Sequence, residues 1–259
     1  MELIILPSHD VDAVAARLVA DDLRAASPGV LGVATGSSPL GVYAALERMI
    51  AAGDLDLSRT RAFALDEYVG IPADHPESYA AVIRREVVER LGMNPAFVRV
   101  PDGRADDLEL ACAEYEAAIR HAGGIDVQIL GIGANGHIGF NEPSSSLASR
   151  TRVKTLTRAT REANARFFDD VADVPTHCLT QGIGTILDAQ HLVLVARGEA
   201  KAEAIRQAAE GPVSARWPAS ALQLHPNVTL VIDDDAASHL ELGDYYRETY
   251  RLKPAVEDR

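Results

Sequence analysis

Residues 125–143 read IDVQILGIGANGHIGFNEP. The first six form an apolar, strand-like run. Gly131, Gly133 and Gly136 then keep the backbone thin where the strand ends. His137 and Glu142 follow, with Asn135 and Asn141 beside them. A strand running into such a turn lets a small ligand rest on main chain while an imidazole and a carboxylate move protons. A glycine-rich turn alone is often structural punctuation. Four polar side chains within eight positions decide for chemistry. The G-x-G-x-x-G of 131–136 matches a dinucleotide fingerprint only formally, because His137 and Pro143 stand where a long helix would follow. NAD is therefore the lesser alternative.

Outward from this stretch the chain alternates between two periods. Strands are predicted at 3–6, 30–34, 61–65, 125–130, 191–195 and 228–232. Helices are predicted at 11–26, 39–52, 77–91, 106–121, 160–168 and 199–209. Strands separated by helices imply parallel pairing with right-handed crossovers, an α/β sheet covered on both faces. No repeat, low-complexity linker or domain boundary interrupts the pattern, so residues 1–259 read as one domain, with a frayed tail after Leu252.

Ligands of open α/β sheets sit at the carboxyl ends of strands, and two further strand ends carry polar residues. At Thr35-Gly36-Ser37-Ser38-Pro39, Ser38 is placed to cap a helix that begins at Pro39. Glycine, hydroxyls and free helix N–H groups make a phosphate cradle there, or an ordinary cap. It is no Walker A loop, since the Gly-Lys pair is missing. Asp66 and Glu67 end another strand. They read either as a solvated loop pair or, if the strand continues, as one acid facing a site and one facing a structural partner. Past the glycine loop lie Arg150, Arg152, Lys154, Arg158, Arg161 and Arg166, with Glu162 the only acid among them. Six cations in a chain of formal net charge −13 suggest anion binding, at more than one place.

The same net charge argues against nucleic acid and anionic membranes as partners. Hydrophobic residues make up 47% of the 259, enough for a sizeable core. Cys112 and Cys178 fit neither a metal spacing nor a disulfide framework, and with no signal peptide or membrane-length apolar run the expectation is a cytoplasmic enzyme.

Taken in order, VATGSSP (33–39), ALDEYVGIPADHPESY (64–79), LGIGANGHIGFNEPSSSLASRTRVKTLT (130–157), ANARFF (163–168) and LQLHP (222–226) resemble the glucosamine-6-phosphate deaminase family. The resemblance covers nearly the whole chain. It implies a modified Rossmann-like, three-layer αβα sandwich with a mainly parallel sheet, a cytoplasmic homohexamer and no metal or other cofactor. It implies a deaminase, classed as a hydrolase, that turns glucosamine 6-phosphate and water into fructose 6-phosphate and ammonia in amino-sugar catabolism. Carried over position by position, Asp66 is the base between C2 and C1. His137 opens the sugar ring, assisted by Glu142 and Asn135. Thr35, Gly36, Ser37, Ser38, Arg166 and Lys201 hold the phosphate. Ser145, Ser146, Arg152, Lys154 and Thr155 match the positions that bind N-acetylglucosamine 6-phosphate in allosteric members. Some members carry aspartate where this chain has Asn135. Asparagine cannot ionise, but it is expected to orient His137 by hydrogen bonding. The rivals are a 6-phosphogluconolactonase-like hydrolase and a non-catalytic sugar-phosphate sensor. Asp66, His137 and Glu142 together argue against the sensor, since binding alone needs no proton chemistry.

Overall fold

The computed structural model describes residues 1–72, 74–165, 168 and 170–253. Seven strands form one sheet: β1 (Glu2–Leu6), β2 (Val30–Val33), β3 (Arg61–Ala64), β5 (Val98–Arg99), β6 (Val127–Leu130), β9 (His191–Ala196) and β10 (Val228–Asp233). Their order is β1-β10-β9-β6-β2-β3-β5, and every neighbouring pair is parallel. Every residue of β9 and β10 is buried, as expected of parallel strands covered on both faces. Alternate residues feed two cores. Leu31, Val33, Ile129 and Val193 pack against α1 (Val11–Ala26), α2 (Leu40–Ala51) and α3 (Tyr79–Ile83). Leu130, Leu192, Leu194 and Ile232 pack against α4 (Leu108–His121), α6 (Ile183–Leu187) and α7 (Ala202–Ala209). The molecule is thus a three-layer αβα sandwich with a mainly parallel sheet.

The chain steps from β2 outward through β3 to β5, and from β6 outward the other way through β9 to β10. The topological switch point lies between β2 and β6, so the turns leaving these two strands flank one crevice. The two are tightly apposed. A Cβ on Gly131 would lie 3.3 Å from Ser38 Oγ, and one on Gly32 would strike the Gln128 side chain at 2.0 Å.

A second, antiparallel sheet was not expected from the sequence. It orders β4 (Asp66–Tyr68), β8 (His177–Thr180) and β7 (Arg152–Thr155). Asp66 and Tyr68 stand opposite Thr180 and Cys178, which stand opposite Arg152 and Lys154. Directly opposed residues share a face, so these six side chains do. Only Leu65 separates β3 from β4, and the small sheet therefore grows from the carboxyl edge of the large one.

Several boundaries differ from the sequence expectation. The helix expected at 77–91 is α3, capped by Ser78 Oγ accepting from Ala81 N–H at 3.1 Å, and it runs on as a π-helical stretch, Arg84–Glu89. The helix expected at 160–168 is α5 (Arg158–Asn164), capped by Thr157. Ser38 caps nothing: α2 starts at Leu40, Pro39 holds the cap position and no side chain bonds the first turn. A further helix, α8 (Gly243–Arg251), packs beside β1, and Lys253 is tied to Glu2 at 2.9 Å rather than frayed. Residues 254–259 lie outside the described residues. No helix among those described is long and apolar enough to cross a membrane.

Candidate active site

A cleft of about 630 Å³ opens at the carboxyl ends of β2, β3 and β6. Thr35, Gly36, Ser37 and Ser38 line one side. Gly36 has φ +84°, a conformation that costs glycine nothing and other residues strain. Because α2 has no side-chain cap, its amino end adds main-chain donors to this turn. Lys201 lines the cleft as well. It lies close enough to His137 to disfavour a second positive charge there. Arg166, expected to share the phosphate, lies outside the described residues.

Asp66 and Glu67 are no solvated pair: they are 6% and 5% exposed. The strand does continue, and its pleat sends them opposite ways. Glu67 Oε1 accepts from the N–H groups of Tyr68 (2.7 Å) and Tyr79 (3.0 Å), and Oε2 from Ala80 N–H (2.8 Å). It staples β4 to the amino end of α3. Burial pushes its carboxyl up, opposed by those three donors. Asp66 lines the cleft. Burial, and after it the Glu67 charge, push its carboxyl up to about 8. A base near the working pH combines a useful ionised fraction with real driving force.

Across the cleft the glycine loop presents His137. The imidazole lies on Gly133, where a Cβ would approach the ring to 2.2 Å. Burial pulls His137 below its usual range; Glu142 opposes this and Lys201 adds to it. The ring is thus held neutral, able to accept a proton. Its Nδ1 is 3.8 Å from Glu142 Oε1 and makes no hydrogen bond. Asn135 does not orient the ring, contrary to expectation. Its Oδ1 accepts from the His137 main-chain N–H at 3.2 Å, and its Nδ2 donates to Glu142 Oε2 at 2.7 Å. It pins loop to carboxylate, because a side chain two residues back reaches the main chain before the ring. Glu142 is buried behind the cleft wall, and its Oε1 accepts from the Thr160 hydroxyl.

The basic segment is mostly committed elsewhere. Arg150 donates to Glu116 (3.1 and 2.7 Å) and Asp188 (2.6 Å), Arg158 to Glu162 (2.7 Å), and Arg161 to the carbonyls of Val174 and Val171. Arg152 and Lys154 remain half-buried on β7, with Arg152 Nη2 buried and lacking a hydrogen-bond partner. Ser145 is buried, Ser146 and Thr155 exposed.

Other cleft residues escaped the sequence reading. The hydroxyl of Tyr79 shares a hydrogen bond with Thr35 and donates to Tyr68 Oη at 3.4 Å, and Asn164 Nδ2 donates to that same Oη at 3.0 Å. Thr160 joins α5 to Glu142. Tyr68 and Tyr79 lie within ALDEYVGIPADHPESY and Asn164 within ANARFF, whereas Thr160 lies outside every quoted string, and side-chain type alone carried no signal. Among the described residues no three His, Cys, Asp or Glu side chains stand together as a metal-binding group.

A family model described as glucosamine-6-phosphate isomerases/6-phosphogluconolactonase matches residues 8–231. The glucosamine-6-phosphate deaminase of Mycolicibacterium smegmatis is 58% identical over 257 residues, covering 98% of each chain. That of Streptomyces coelicolor is 55% identical over 256 residues, again covering 98% of each. A solved monomeric glucosamine-6-phosphate deaminase superposes with a TM-score of 0.89 at 42% identity, over 92% of this chain and 100% of that one. The 6-phosphogluconolactonase of Trypanosoma cruzi gives 0.73 at 19% identity, over 93% and 97%, a likeness of fold. On the family match and these full-length identities, the chain belongs to the glucosamine-6-phosphate isomerase/6-phosphogluconolactonase family.

Proposed function

We propose that the protein is a glucosamine-6-phosphate deaminase, converting that sugar and water to fructose 6-phosphate and ammonia. His137 accepts the C1 hydroxyl proton and returns it to the ring oxygen, opening the ring. Ionised Asp66 then takes the C2 proton of the open-chain aldehyde and delivers a proton to C1. The C2 imine so formed adds water and expels ammonia. Water is consumed in the net reaction, which places the enzyme among hydrolases acting through an isomerisation. The substrate's own ammonium, arriving beside Asp66, favours the ionised carboxylate. The phosphate is bound by Thr35, Gly36, Ser37 and Ser38 with Lys201 and Arg166.

The observation that carries this reading is that a buried acid pushed to about 8 and a histidine held neutral face one cleft, beside a glycine-serine turn at the switch point. A coupled assay on glucosamine 6-phosphate tests it. Equimolar ammonia and fructose 6-phosphate are expected. Hydrolysis of 6-phosphogluconolactone without ammonia release would instead establish the lactonase, and binding without turnover the sensor.

The regulatory proposal is narrower. N-acetylglucosamine 6-phosphate activates the enzyme by binding Ser145, Ser146, Arg152, Lys154 and Thr155 of an assembled hexamer. In its support, Arg152 has an unpartnered buried nitrogen, and Thr180 stands between Arg152 and Asp66 across the small sheet. A solved relative is described as monomeric, so sedimentation velocity and saturation curves with and without the effector test assembly and activation separately. A monomer with identical hyperbolic curves overturns both.

A further inference from the structure

The half of the glycine loop that presents His137 is held from outside. Within the loop, Gly136 N–H donates to Gly133 O and Gly133 N–H to His137 O, both at 2.9 Å. From Phe140 on, the end of β8 takes over: Phe140 N–H donates to Thr180 Oγ1 (3.1 Å) and Asn141 Nδ2 to Gln181 O (2.8 Å). The remaining supports come from one turn near the C-terminal third, residues 214–219. Ala219 N–H donates to Gly136 O at 2.8 Å, and Ser144 N–H to Ala215 O at 2.7 Å. Between these two bonds Trp217 presses on Gly136, where a Cβ would meet indole Cε3 at 2.7 Å. Gly136 has φ +80°, so only glycine provides both the backbone and the room.

The turn is braced in itself. Trp217 N–H donates to Ser214 O at 3.0 Å, and the Ser220 hydroxyl accepts from Ser214 N–H and donates to Ser214 O. The Arg216 guanidinium sits over the indole, 5.1 Å from its centroid. One residue beyond Gly136, the imidazole has no slack, because Gly133 lies against its ring. A shift of the Gly136 backbone must therefore move the ring.

We propose that Trp217 is a positioning residue for His137, its indole braced against Gly136 so as to fix the backbone from which the imidazole faces the cleft. This rests on the deaminase reading for its kinetic consequence, but not for its structural one. The turn meets the glycine loop at Gly136 and Ser144, so Trp217 acts chiefly on the proton transfer that His137 performs.

The test follows the His137 imidazole by NMR titration, assigned with His137→Gln, in wild type, Trp217→Phe, Trp217→Ala and Gly136→Ala. The kcat and KM for glucosamine 6-phosphate are measured alongside. In Trp217→Ala the His137 titration should move up toward the ordinary range as the ring gains solvent. There kcat should fall by about 10²-fold, the scale of an ångström-level misplacement, with KM changed little. Trp217→Phe should recover most of both. A folded Trp217→Ala with unchanged titration and kcat overturns the proposal. If Trp217→Ala does not fold, unchanged titration and kcat in Gly136→Ala do the same. Should wild type show no turnover, the deaminase reading fails while the titration still decides the positioning role.

Discussion

The loop 131–143 and the segment 150–161 are both dense in polar side chains, yet they fold to opposite ends. In the loop the polar groups converge: Asn135 joins the His137 main chain to Glu142 behind the wall, and His137 and Asn135 line the same cleft as Asp66. In the basic segment they disperse. Arg150 reaches to α4 and the end of α6, Arg158 one turn forward along its own helix, and Arg161 to main-chain carbonyls. Local density of charge is therefore a poor guide to a site. What distinguishes the two is backbone: three glycines bring the loop's side chains inward, whereas a strand and a helix spread the cations over different faces.

The sharpest way to break this contrast is Asp66→Asn. Turnover should fall by roughly two to four decades, the worth of a positioned base, while binding of fructose 6-phosphate changes little. In wild type kcat/KM should rise with pH to a plateau above about 8, the value to which burial and Glu67 push Asp66. The same shift fixes the stability change. An acid whose folded pKa is raised costs stability once the pH passes its unfolded value, and the cost grows up to the folded one. Asp66→Asn should therefore melt higher than wild type, by a margin that widens between about pH 4 and pH 8. Equal melting at both ends would mean that Asp66 is not buried as an acid.

Glu67→Gln comes next. It keeps an acceptor for the α3 amino end but removes the charge beside Asp66, so the acid limb of kcat/KM should move to lower pH, with kcat held within about tenfold. An unmoved limb would assign the Asp66 shift to burial alone.

Glu116→Gln probes the dispersed region. Burial would push this carboxyl up, but Thr151, Thr185 and Arg150 outweigh it and hold it below the usual range. Its contribution is thus present at neutral pH and lost on acidification. The variant should lose about 1–3 kcal/mol in urea unfolding at neutral pH with kcat nearly unchanged. A collapse of kcat without loss of stability would move Glu116 into the catalytic machinery. Smallest is Arg158→Ala: its side chain is 89% exposed, and both stability and kinetics should stay within about 0.5 kcal/mol of wild type.

These expectations also mark what the sequence made legible. The large sheet was readable because β9 and β10 are apolar runs buried on both faces, and α1 carries its own helical stripe. The small sheet was not, since DEY, RVKT and HCLT are short and polar, and Asp66 meets Thr180 only through pairing across more than a hundred positions. The helix α8 buries no residue fully and meets the cores only through Tyr246 and Tyr250, two positions in an otherwise charged segment that give little apolar signal. Residues of the cleft were legible one by one, but their connections were not. Ser38 has the right type for a cap and turns instead to Gly131, and Asn135 bonds the main chain and Glu142 in place of the imidazole. Such choices depend on neighbours that arrive from distant strands.

Trp217 is the only tryptophan among the 259 residues, and it rests on Gly136. The protein thus carries one tryptophan fluorophore, resting on the loop that presents His137. Its emission reports on that loop without a label, and rapid mixing with sugar phosphate can time the loop's response separately from product formation.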